Sequence, residues 1–418
     1  MTGPLDYVTA QGFDTLLVLL WYVVVFEVPR YLVLFALTAL VPARRRPSVP
    51  GAAPRRVSVV VVGHSEGAKV ETCVRALREQ SRPPDEIVVL SDGSTDSMPR
   101  RALRLAREGL IAQAHVTELR GGKAAGLNLG GRVAKGDVVV FVDCDCTFDR
   151  HALRAVLRPF DDPEVGAVAG SVLVRNARAN LLTRLQAIEY LVTISLGKRA
   201  MDRLGLVSCV SGAFGAFRRA AYQEVGGYDA EGGEDLDITL SLRARGWRVA
   251  FAADAVCYTD VPTSWGALAR QRGRWERDAI RLRFRKHGAM MNPFAPGFSW
   301  SEWLHEAEFL LFNVVAAALL PVYLVWLSVA LGAAGWTVLL AAQLVLLCMD
   351  FAVLALAAAA TPRARALPLA LYLPAFGAYY GLFMRALRLC AYAQEWVFRA
   401  SRRDEFVPRK VQSARGEG

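Results

Sequence analysis

The stretch Val138-Val139-Val140-Phe141-Val142-Asp143-Cys144-Asp145 decides the fold of this chain. Its first five residues are apolar and mostly β-branched, a pattern that predicts a strand buried on both faces of a sheet. Asp143 and Asp145 follow at the carboxyl end of that strand, where open α/β sheets bind ligands. Mg²⁺ usually takes one or two protein carboxylates and leaves its other positions to phosphate and water. The pair therefore predicts a divalent cation held against a phosphate group, with a solvated acidic turn as the alternative.

Strands and helices alternate from Val57 onward, as they do in α/β domains. The predicted strands cover Val57 to Val62, Glu86 to Leu90, Ala114 to Glu118 and Val138 to Val142. The predicted helices cover Lys69 to Gln80, Pro99 to Glu108 and the segment that carries Asn128. This alternation predicts an α/β domain with a mostly parallel sheet, helices on both faces and right-handed crossovers. Successive strand ends then bring polar, glycine-rich loops to one edge of the sheet.

Two common phosphate-binding motifs do not occur in the sequence. The turn after the first strand lacks Gly-x-Gly-x-x-Gly, and Gly-x-x-x-x-Gly-Lys-Ser/Thr is found nowhere, so neither a dinucleotide site nor a P-loop is supported. The remaining prediction is a nucleotide bound by Asp92, which follows the second strand, and a metal ion bound by Asp143 and Asp145. Taken alone, Asp92 is more often a turn residue or a helix N-cap. Lys123 alone would be a solvated surface lysine.

The apolar residues, 54% of the chain, are concentrated in separate segments, and four of these are long enough to span a bilayer. They cover Phe13 to Val41, Phe309 to Ala334, Trp336 to Ala360 and Leu367 to Phe383. Arg44, Arg45 and Arg46 follow the first segment, and positive charge beside a span is typical of the cytoplasmic side. The sequence therefore predicts an integral protein of the inner or plasma membrane whose polar domain is cytoplasmic.

These segments predict five regions. They are a transmembrane helix with a basic flank (1–46), the cytoplasmic domain (47–262), interfacial amphipathic helices (263–304), the later transmembrane helices (305–385) and a basic tail (386–418). Three complete later spans would place that tail outside, against the positive-inside tendency. Either the proline-containing segment Leu367 to Phe383 is re-entrant or the tail is an exception.

The net charge of +11 is concentrated beside the apolar segments. This placement favours a membrane surface and bound phosphates over nucleic acid as partners. The seven cysteines include no Cys-x-x-Cys pair, and no histidine cluster has zinc spacing. We expect reduced thiols in a cytoplasmic domain without a structural metal.

Six motifs occur in order along the chain. They are Ser91-Asp92-Gly93-Ser94-Thr95-Asp96, Gly122-Lys123-Ala124 with Asn128, Asp143-Cys144-Asp145, Val210-Ser211-Gly212-Ala213 followed by Phe217-Arg218-Arg219, Gly233-Glu234-Asp235-Leu236-Asp237, and Gln271-Arg272-Gly273-Arg274-Trp275. In this set and order the sequence resembles the processive family-2 glycosyltransferases, the group of cellulose, chitin, hyaluronan and poly-N-acetylglucosamine synthases. The resemblance runs from Val57 through the last apolar segment. It departs at Ser65-Glu66, where the family usually has Asn-Glu, but the carboxylate is kept.

The resemblance implies a GT-A fold that binds a UDP-sugar, with Asp92 on the uracil–ribose part. The residues that it implies on the nucleotide are Glu66, Asp92, Lys123, Asp143 and Arg274. Asp145, together with Asp143, would hold Mg²⁺ or Mn²⁺ against the diphosphate. The metal would there neutralise the charge that develops on the departing UDP.

The resemblance also implies a catalytic base in Glu234-Asp235. Asp235 is expected to take the proton from the acceptor hydroxyl as that oxygen attacks the anomeric carbon in an inverting, in-line displacement. The alternative role of both acids is N-terminal helix capping after Gly232-Gly233, which is compatible with the catalytic one.

The motif from Gln271 to Trp275 lies in a basic segment with helical spacing, whose plain interpretation is an amphipathic helix at the membrane surface. The sharper hypothesis places Arg274 on the diphosphate, and Gln271 and Trp275 on the acceptor, with the indole as an apolar platform under a sugar. Leu181 to Met201 is predicted as another interfacial helix, with a core helix as the alternative.

The implied activity is that of an inverting, metal-dependent processive glycosyltransferase. It would polymerise sugar from a UDP-sugar, with UDP-N-acetylglucosamine favoured, into a β-linked polysaccharide and move the growing polymer across the bilayer. Accessory export proteins are candidate partners. One alternative is a single-transfer enzyme that acts on a polyprenyl-phosphate lipid. The other is a non-catalytic membrane scaffold that binds nucleotide-sugar.

Overall fold

The computed structural model of the chain describes residues 10–42, 56–403 and 408. The basic flank predicted at Arg44 to Arg46 lies outside the described residues, as does most of the predicted tail beyond residue 403.

An eight-stranded mixed sheet forms the centre of the polar domain. Its strands are β1 (Val57–Gly63), β2 (Glu86–Asp92), β3 (Gln113–Thr117), β4 (Val138–Asp143), β5 (Thr147–Phe148), β6 (Val165–Val174), β7 (Phe214–Arg218) and β8 (Arg248–Thr259). They run in the order β3-β2-β1-β4-β7-β6-β8-β5. Strands β1 to β4 pair in parallel, as do β6 and β8, whereas β4–β7, β6–β7 and β5–β8 are antiparallel. The predicted α/β sheet is confirmed, and its parallel half contains the four predicted strands.

The described helices connect these strands and then continue beyond the sheet. They are α1 (Phe13–Leu19), α2 (Val23–Ala39), α3 (Gly67–Arg78), α4 (Met98–Arg107), α5 (Lys123–Val133), α6 (Ala152–Leu157), α7 (Leu181–Glu189), α8 (Gly197–Leu204), α9 (Arg219–Glu224), α10 (Glu234–Ala244), α11 (Trp265–Ile280), α12 (Trp300–Leu331), α13 (Ala334–Ala360) and α14 (Leu367–Phe398). A π-helical segment, Tyr190–Leu196, joins α7 to α8, and another, Arg281–Lys286, extends α11.

Both faces of the sheet are covered. Val59 and Val61 of β1 pack with α3, α4 and α6 in one hydrophobic cluster. Val60 and Val62 pack with α5 and α10 in a second cluster on the opposite face. This alternation follows from the period of two along a strand, and it explains why the strand sequences are apolar throughout. The site residues at the strand ends therefore stand on a rigid base.

Local sequence signals set the starts of several helices. Asn180 caps α7, because its side chain accepts a hydrogen bond from the Thr183 backbone N–H (2.9 Å) while the Thr183 hydroxyl accepts one from the Asn180 N–H (3.0 Å). Gly233 precedes α10 in the left-handed region, with φ of 69°. Three acids then fill the first turn of α10, where the helix dipole favours negative charge.

Three described helices, α12, α13 and α14, are long and apolar enough to cross a membrane. Helices α1 and α2 pass the same test only as a pair, and they are bent by 78° at the break between them. The predicted first span is therefore broken rather than straight. Helix α14 continues beyond the predicted limit at Phe383, because Arg385 and Arg388 are buried against acidic side chains and do not end the helix.

The segment predicted as an interfacial helix, Leu181 to Met201, lies between the sheet and the membrane helices. Leu185, Ile188 and Leu191 are buried in a cluster that also contains Val353 of α13 and Phe376 of α14. This burial supports the alternative of a core helix for this part, because its apolar face is covered by the candidate membrane helices.

Candidate active site

Three elements meet around the ammonium group of Lys123, the first residue of α5. Its Nζ lies 2.7 Å from Asp143 Oδ1 at the end of β4 and 3.4 Å from Glu234 Oε1 at the start of α10. Burial raises the pKa of Asp143, against the lowering effect of the adjacent ammonium group. Burial opposes the charge on Lys123, but the two carboxylates prevail and raise its pKa. Two predicted carboxylates and the predicted lysine thus form one charged cluster.

The carboxylate of Asp92 lies beneath the turn that leads into α5. It accepts hydrogen bonds from the N–H groups of Gly121 (2.6 Å) and Gly122 (2.8 Å), and only 6% of the residue is exposed. Gly122 has φ of 94°, which a side chain rarely tolerates. Asp92 therefore orders the turn that leads to Lys123. This is the turn role that the sequence analysis gave as the alternative for Asp92. Contact with a nucleotide stays a prediction.

Glu66 lies at the neighbouring strand end, just before α3. Its carboxylate pairs with Lys69 one turn later, at 3.2 Å, and about a third of its side chain is exposed. Glu66, Asp92 and Asp143 thus come from the ends of three adjacent parallel strands, β1, β2 and β4, in agreement with the expected convergence.

Asp145 follows Asp143 but faces a different set of groups. The Thr259 hydroxyl donates to its Oδ2 at 3.2 Å, and Arg175 Nη1 donates to its backbone oxygen at 2.9 Å. Within residues 10–42, 56–403 and 408, no group of three or more His, Cys, Asp or Glu side chains could hold a metal ion. Two carboxylates with room for phosphate and water suit Mg²⁺ or Mn²⁺, which prefer oxygen ligands. The residues present fit such an ion.

Asp235, the predicted base, is held at the start of α10 by two backbone donors. Its Oδ1 accepts from the N–H of Leu236 (2.8 Å) and its Oδ2 from the N–H of Gly212 (3.2 Å). The adjacent Glu234 instead contacts Lys123, so these neighbouring acids have different direct partners. Glu234 thus contacts Lys123 directly, and Asp235 accepts from Gly212, a residue that also lies next to Lys123.

The motif from Gln271 to Trp275 lies on α11, close to the membrane helices. Trp275 is 41% exposed. The guanidinium carbon of Arg272 stacks over its ring, 4.1 Å from the ring centroid. Arg272 itself is buried, donates to Gln271 Oε1 (3.2 Å) and pairs with Glu189 (3.1 Å). The helix prediction is confirmed, and Arg272, Arg281 and Arg283 of this basic segment pair with acidic side chains. Its position at the membrane surface stays a prediction. Arg274 is half-buried on the same helix.

Residues 54–277 match the family described as Glycosyltransferase like family 2. This match covers more than half of the chain. The chain belongs to this family. The motif resemblance is thereby confirmed at the level of the family.

Two curated relatives of this family-2 chain are poly-β-1,6-N-acetyl-D-glucosamine synthases. The enzyme of Staphylococcus aureus is 30% identical over 221 residues, which are 52% of this chain and 53% of the relative. The enzyme of Staphylococcus epidermidis is 28% identical over the same shares. The chain thus matches about half the length of these relatives.

A solved mannosyltransferase of Pyrobaculum calidifontis, in complex with GDP-mannose and Mn²⁺, shares the fold of the family-2 chain. The superposition has a TM-score of 0.60 at 22% identity and covers 91% of this chain and 98% of the other. The GT-A fold expected from the motifs is confirmed.

Two buried cations of the family-2 chain were not singled out in the sequence. Arg272 lies inside a recognised motif, and its spacing of three from Trp275 on a helix could have suggested their contact. Lys198 lies within Leu181 to Met201, the segment predicted as an interfacial helix. Its burial depends on segments far away in the sequence, so local periodicity carries no signal for it.

Proposed function

We propose that this family-2 glycosyltransferase polymerises sugar from a UDP-sugar by an inverting, metal-dependent, processive reaction. The carrying observation is the arrangement of Lys123 between Asp143 and Glu234, with Asp235 adjacent in sequence and held by the Gly212 N–H. This arrangement brings a candidate cation for the diphosphate and a candidate base into one site, which supports a glycosyl transfer.

On the donor side, Asp143 and Asp145 would hold Mg²⁺ or Mn²⁺ beside the diphosphate. The ion would neutralise negative charge on the departing UDP. The ammonium group of Lys123, which contacts two carboxylates, would also donate a charge-assisted hydrogen bond to the same diphosphate. The Gly121–Gly122 turn, ordered by Asp92, shapes the cleft that would receive the nucleotide.

The remaining nucleotide contacts are assigned to Glu66 and Arg274. Glu66 lies at a strand end beside the Asp92 turn, and Arg274 lies on the helix that follows β8. Guanidinium groups suit phosphate because their donors match two oxygens at once. We place Arg274 on the diphosphate for this reason.

On the acceptor side, Asp235 would accept the proton of the attacking hydroxyl. Its two backbone hydrogen bonds fix the carboxylate while lone pairs remain for that proton. Trp275 would support the acceptor sugar with Gln271 beside it. Because Arg272 covers one indole face, the platform offers its other face to the pyranose ring.

The membrane helices give the product a setting. The three apolar helices α12 to α14 and the bent pair α1–α2 support an integral protein of the inner or plasma membrane, and we place the catalytic domain on the cytoplasmic side. A growing polysaccharide would pass from Trp275 toward the bundle, with accessory export proteins as candidate partners. Nucleic acid is not assigned as a partner, because the net positive charge is concentrated beside the apolar segments, which favours a membrane surface and bound phosphates.

The names of the curated relatives support N-acetylglucosamine as the transferred sugar. A panel of UDP-sugars, assayed for UDP release with Mn²⁺ or Mg²⁺, is expected to give the highest rate with UDP-N-acetylglucosamine. A different preferred sugar would change the donor assignment and leave the transfer reaction in place.

Asp235→Asn tests the reaction itself. We expect a loss of at least about 100-fold in polymer formation, because a general base contributes roughly 10²–10⁴-fold, with UDP binding and melting temperature kept. Asp254→Asn, at a carboxylate that is 73% exposed, is the matched control and should retain activity. Unchanged polymer output by Asp235→Asn would favour the scaffold hypothesis. Product analysis that finds one sugar on a polyprenyl phosphate would favour single transfer.

A further inference from the structure

Lys198, on α8, is a buried cation directed at the active site. Only 6% of the residue is exposed, and its Nζ donates a hydrogen bond to the hydroxyl of Ser211. Burial lowers the pKa of Lys198, against the opposing effects of Cys209, Asp235 and Cys257. A buried ammonium group lowers the free energy of unfolding unless ion pairs and hydrogen bonds offset its desolvation. We therefore expect a role of Lys198 other than stabilisation of the fold.

The partner of Lys198 lies in a short loop, residues 210–213, that we call the base loop. The N–H of Val210 donates to the Thr239 hydroxyl on α10, at 2.9 Å. The N–H of Gly212 donates to Asp235, and the oxygen of Ala213 accepts from the N–H of Asp143 at 3.4 Å. The base loop therefore connects the candidate base with the candidate metal ligand.

The base loop has little room to shift. A Cβ placed on Gly212 would lie 2.9 Å from Lys123 Nζ and 3.7 Å from Glu234 Oε1. The loop is thus enclosed between the charged cluster on one side and Asp235 on another. The side chain of Ser211 accepts a hydrogen bond from outside both groups, from Lys198.

We propose that Lys198 is a positioning residue, which fixes the base loop through Ser211 and thereby holds the Gly212 N–H against Asp235. This inference rests on the proposed transfer reaction. Lys198 would not touch donor or acceptor. Its hydrogen bond would keep the Asp235 carboxylate in line with the attacking hydroxyl, for which small displacements are costly.

A stabilising role and a positioning role predict opposite results for Lys198→Met. Methionine has a similar length and is apolar, and replacement of a buried charge by an apolar side chain is often neutral or stabilising. If Lys198 only supported the fold, its removal would lower the melting temperature. If it positions the base loop, activity should fall while the melting temperature stays equal or rises.

The experiment compares the full chain in detergent micelles with Lys198→Met, Ser211→Ala and the double variant. We expect kcat to fall about 10- to 100-fold in each single variant, with the dissociation constant of UDP plus Mn²⁺ unchanged. The double variant should lose no more than the larger single loss, because both changes break one hydrogen bond. Arg203→Met, on the same helix, should keep wild-type kcat.

Several results would overturn the inference. Lys198→Met with wild-type kcat, losses that multiply in the double variant, or weaker UDP binding in parallel with kcat would each assign Lys198 another role. A lower melting temperature with proportionate loss of activity would make it a structural residue. Absence of transfer by the wild-type chain with every UDP-sugar would remove the proposed function first, and this inference with it.

Discussion

At the scale of single residues, the ammonium of Lys123 keeps two like charges apart. Asp143 and Glu234 come from different elements, and each contacts the same Nζ atom. Without that cation, two partly buried carboxylates would face each other across the site, at a cost in free energy of folding. The lysine thus serves the fold as well as the donor phosphates.

Lys123→Met is therefore expected to lower both stability and donor binding. The unpaired carboxylates should reduce the free energy of unfolding by roughly 1–3 kcal/mol, and UDP affinity should fall at least about tenfold through the lost charge-assisted contact. Thermal melting and calorimetric titration with UDP measure the two effects. Arg75→Met breaks an exposed pair with Glu71 and should change both quantities little. Wild-type UDP affinity in Lys123→Met would contradict the donor role.

The sequence predicted the members of this cluster better than their contacts. Strand ends and motif order pointed to Lys123, Asp143 and Glu234, which the structure brings into contact. They did not predict that the Asp92 carboxylate accepts hydrogen bonds from Gly121 and Gly122. An acid that follows a strand has the same sequence pattern whether it binds a ligand or orders a turn. The partner of a polar side chain is a property of the packed chain.

At the scale of elements, α10 owes its direction to Gly233. A Cβ there would lie 2.9 Å from the Cβ of Asp278 and 3.0 Å from Leu282 Cδ1, in addition to the cost of the positive φ. The side chain of Asp278 also approaches Gly232, and Arg281 donates to the Gly232 oxygen at 2.5 Å. Helix α11 and its π-helical extension thus support the turn that carries both acids.

Gly233→Ala should consequently displace the start of α10. We expect a loss of roughly 2–4 kcal/mol, the sum of left-handed strain and overpacking, and at least about a tenfold loss of kcat as Asp235 moves. Gly246→Ala is the matched control at the other end of the helix, with φ of 82° and no atom within 4 Å of the added Cβ. Gly246→Ala should therefore lose stability through backbone strain alone and should keep the wild-type kcat. Equal effects of both variants on kcat would show that the contacts with α11 do not matter.

The elements of the parallel half follow from local patterns, and those of the antiparallel half do not. β1 to β4 were predicted because apolar runs and turn residues alternate along the chain. The insertion of β7 between β4 and β6 depends on pairing with β4 across a long stretch of sequence. No periodicity of its five residues indicates that neighbour or its antiparallel direction.

At the scale of the whole molecule, buried ion pairs join the membrane helices to each other and to the catalytic domain. Glu27 of α2 pairs with Arg385 of α14, and the side chain of each is 6% exposed. Arg388 pairs with Glu276 of α11 at 3.0 Å. The sequence prediction ended the membrane helices at Arg385 and placed Arg388 in the basic tail, because charge in a late apolar segment has no visible partner until the helices are packed.

Removal of one member of the Glu27–Arg385 pair should be more damaging than removal of both. Glu27→Leu or Arg385→Leu leaves a buried charge, with an expected loss of about 3–5 kcal/mol. The double variant should melt closer to the wild type, since two apolar side chains then face each other. Melting temperature in micelles measures the difference. Single variants as stable as the wild type would show that water or lipid headgroups reach the remaining charge.

The Glu27–Arg385 pair also has a consequence for biosynthesis. Glu27 leaves the ribosome early, whereas its partner is added only after the whole catalytic domain and two further apolar helices. At about 5–20 residues per second, the glutamate waits on the order of half a minute beside or within the bilayer without its arginine. During that interval β1 to β4, which are contiguous in the chain, can already pair. Helix α14 therefore neutralises a charge that was synthesised much earlier.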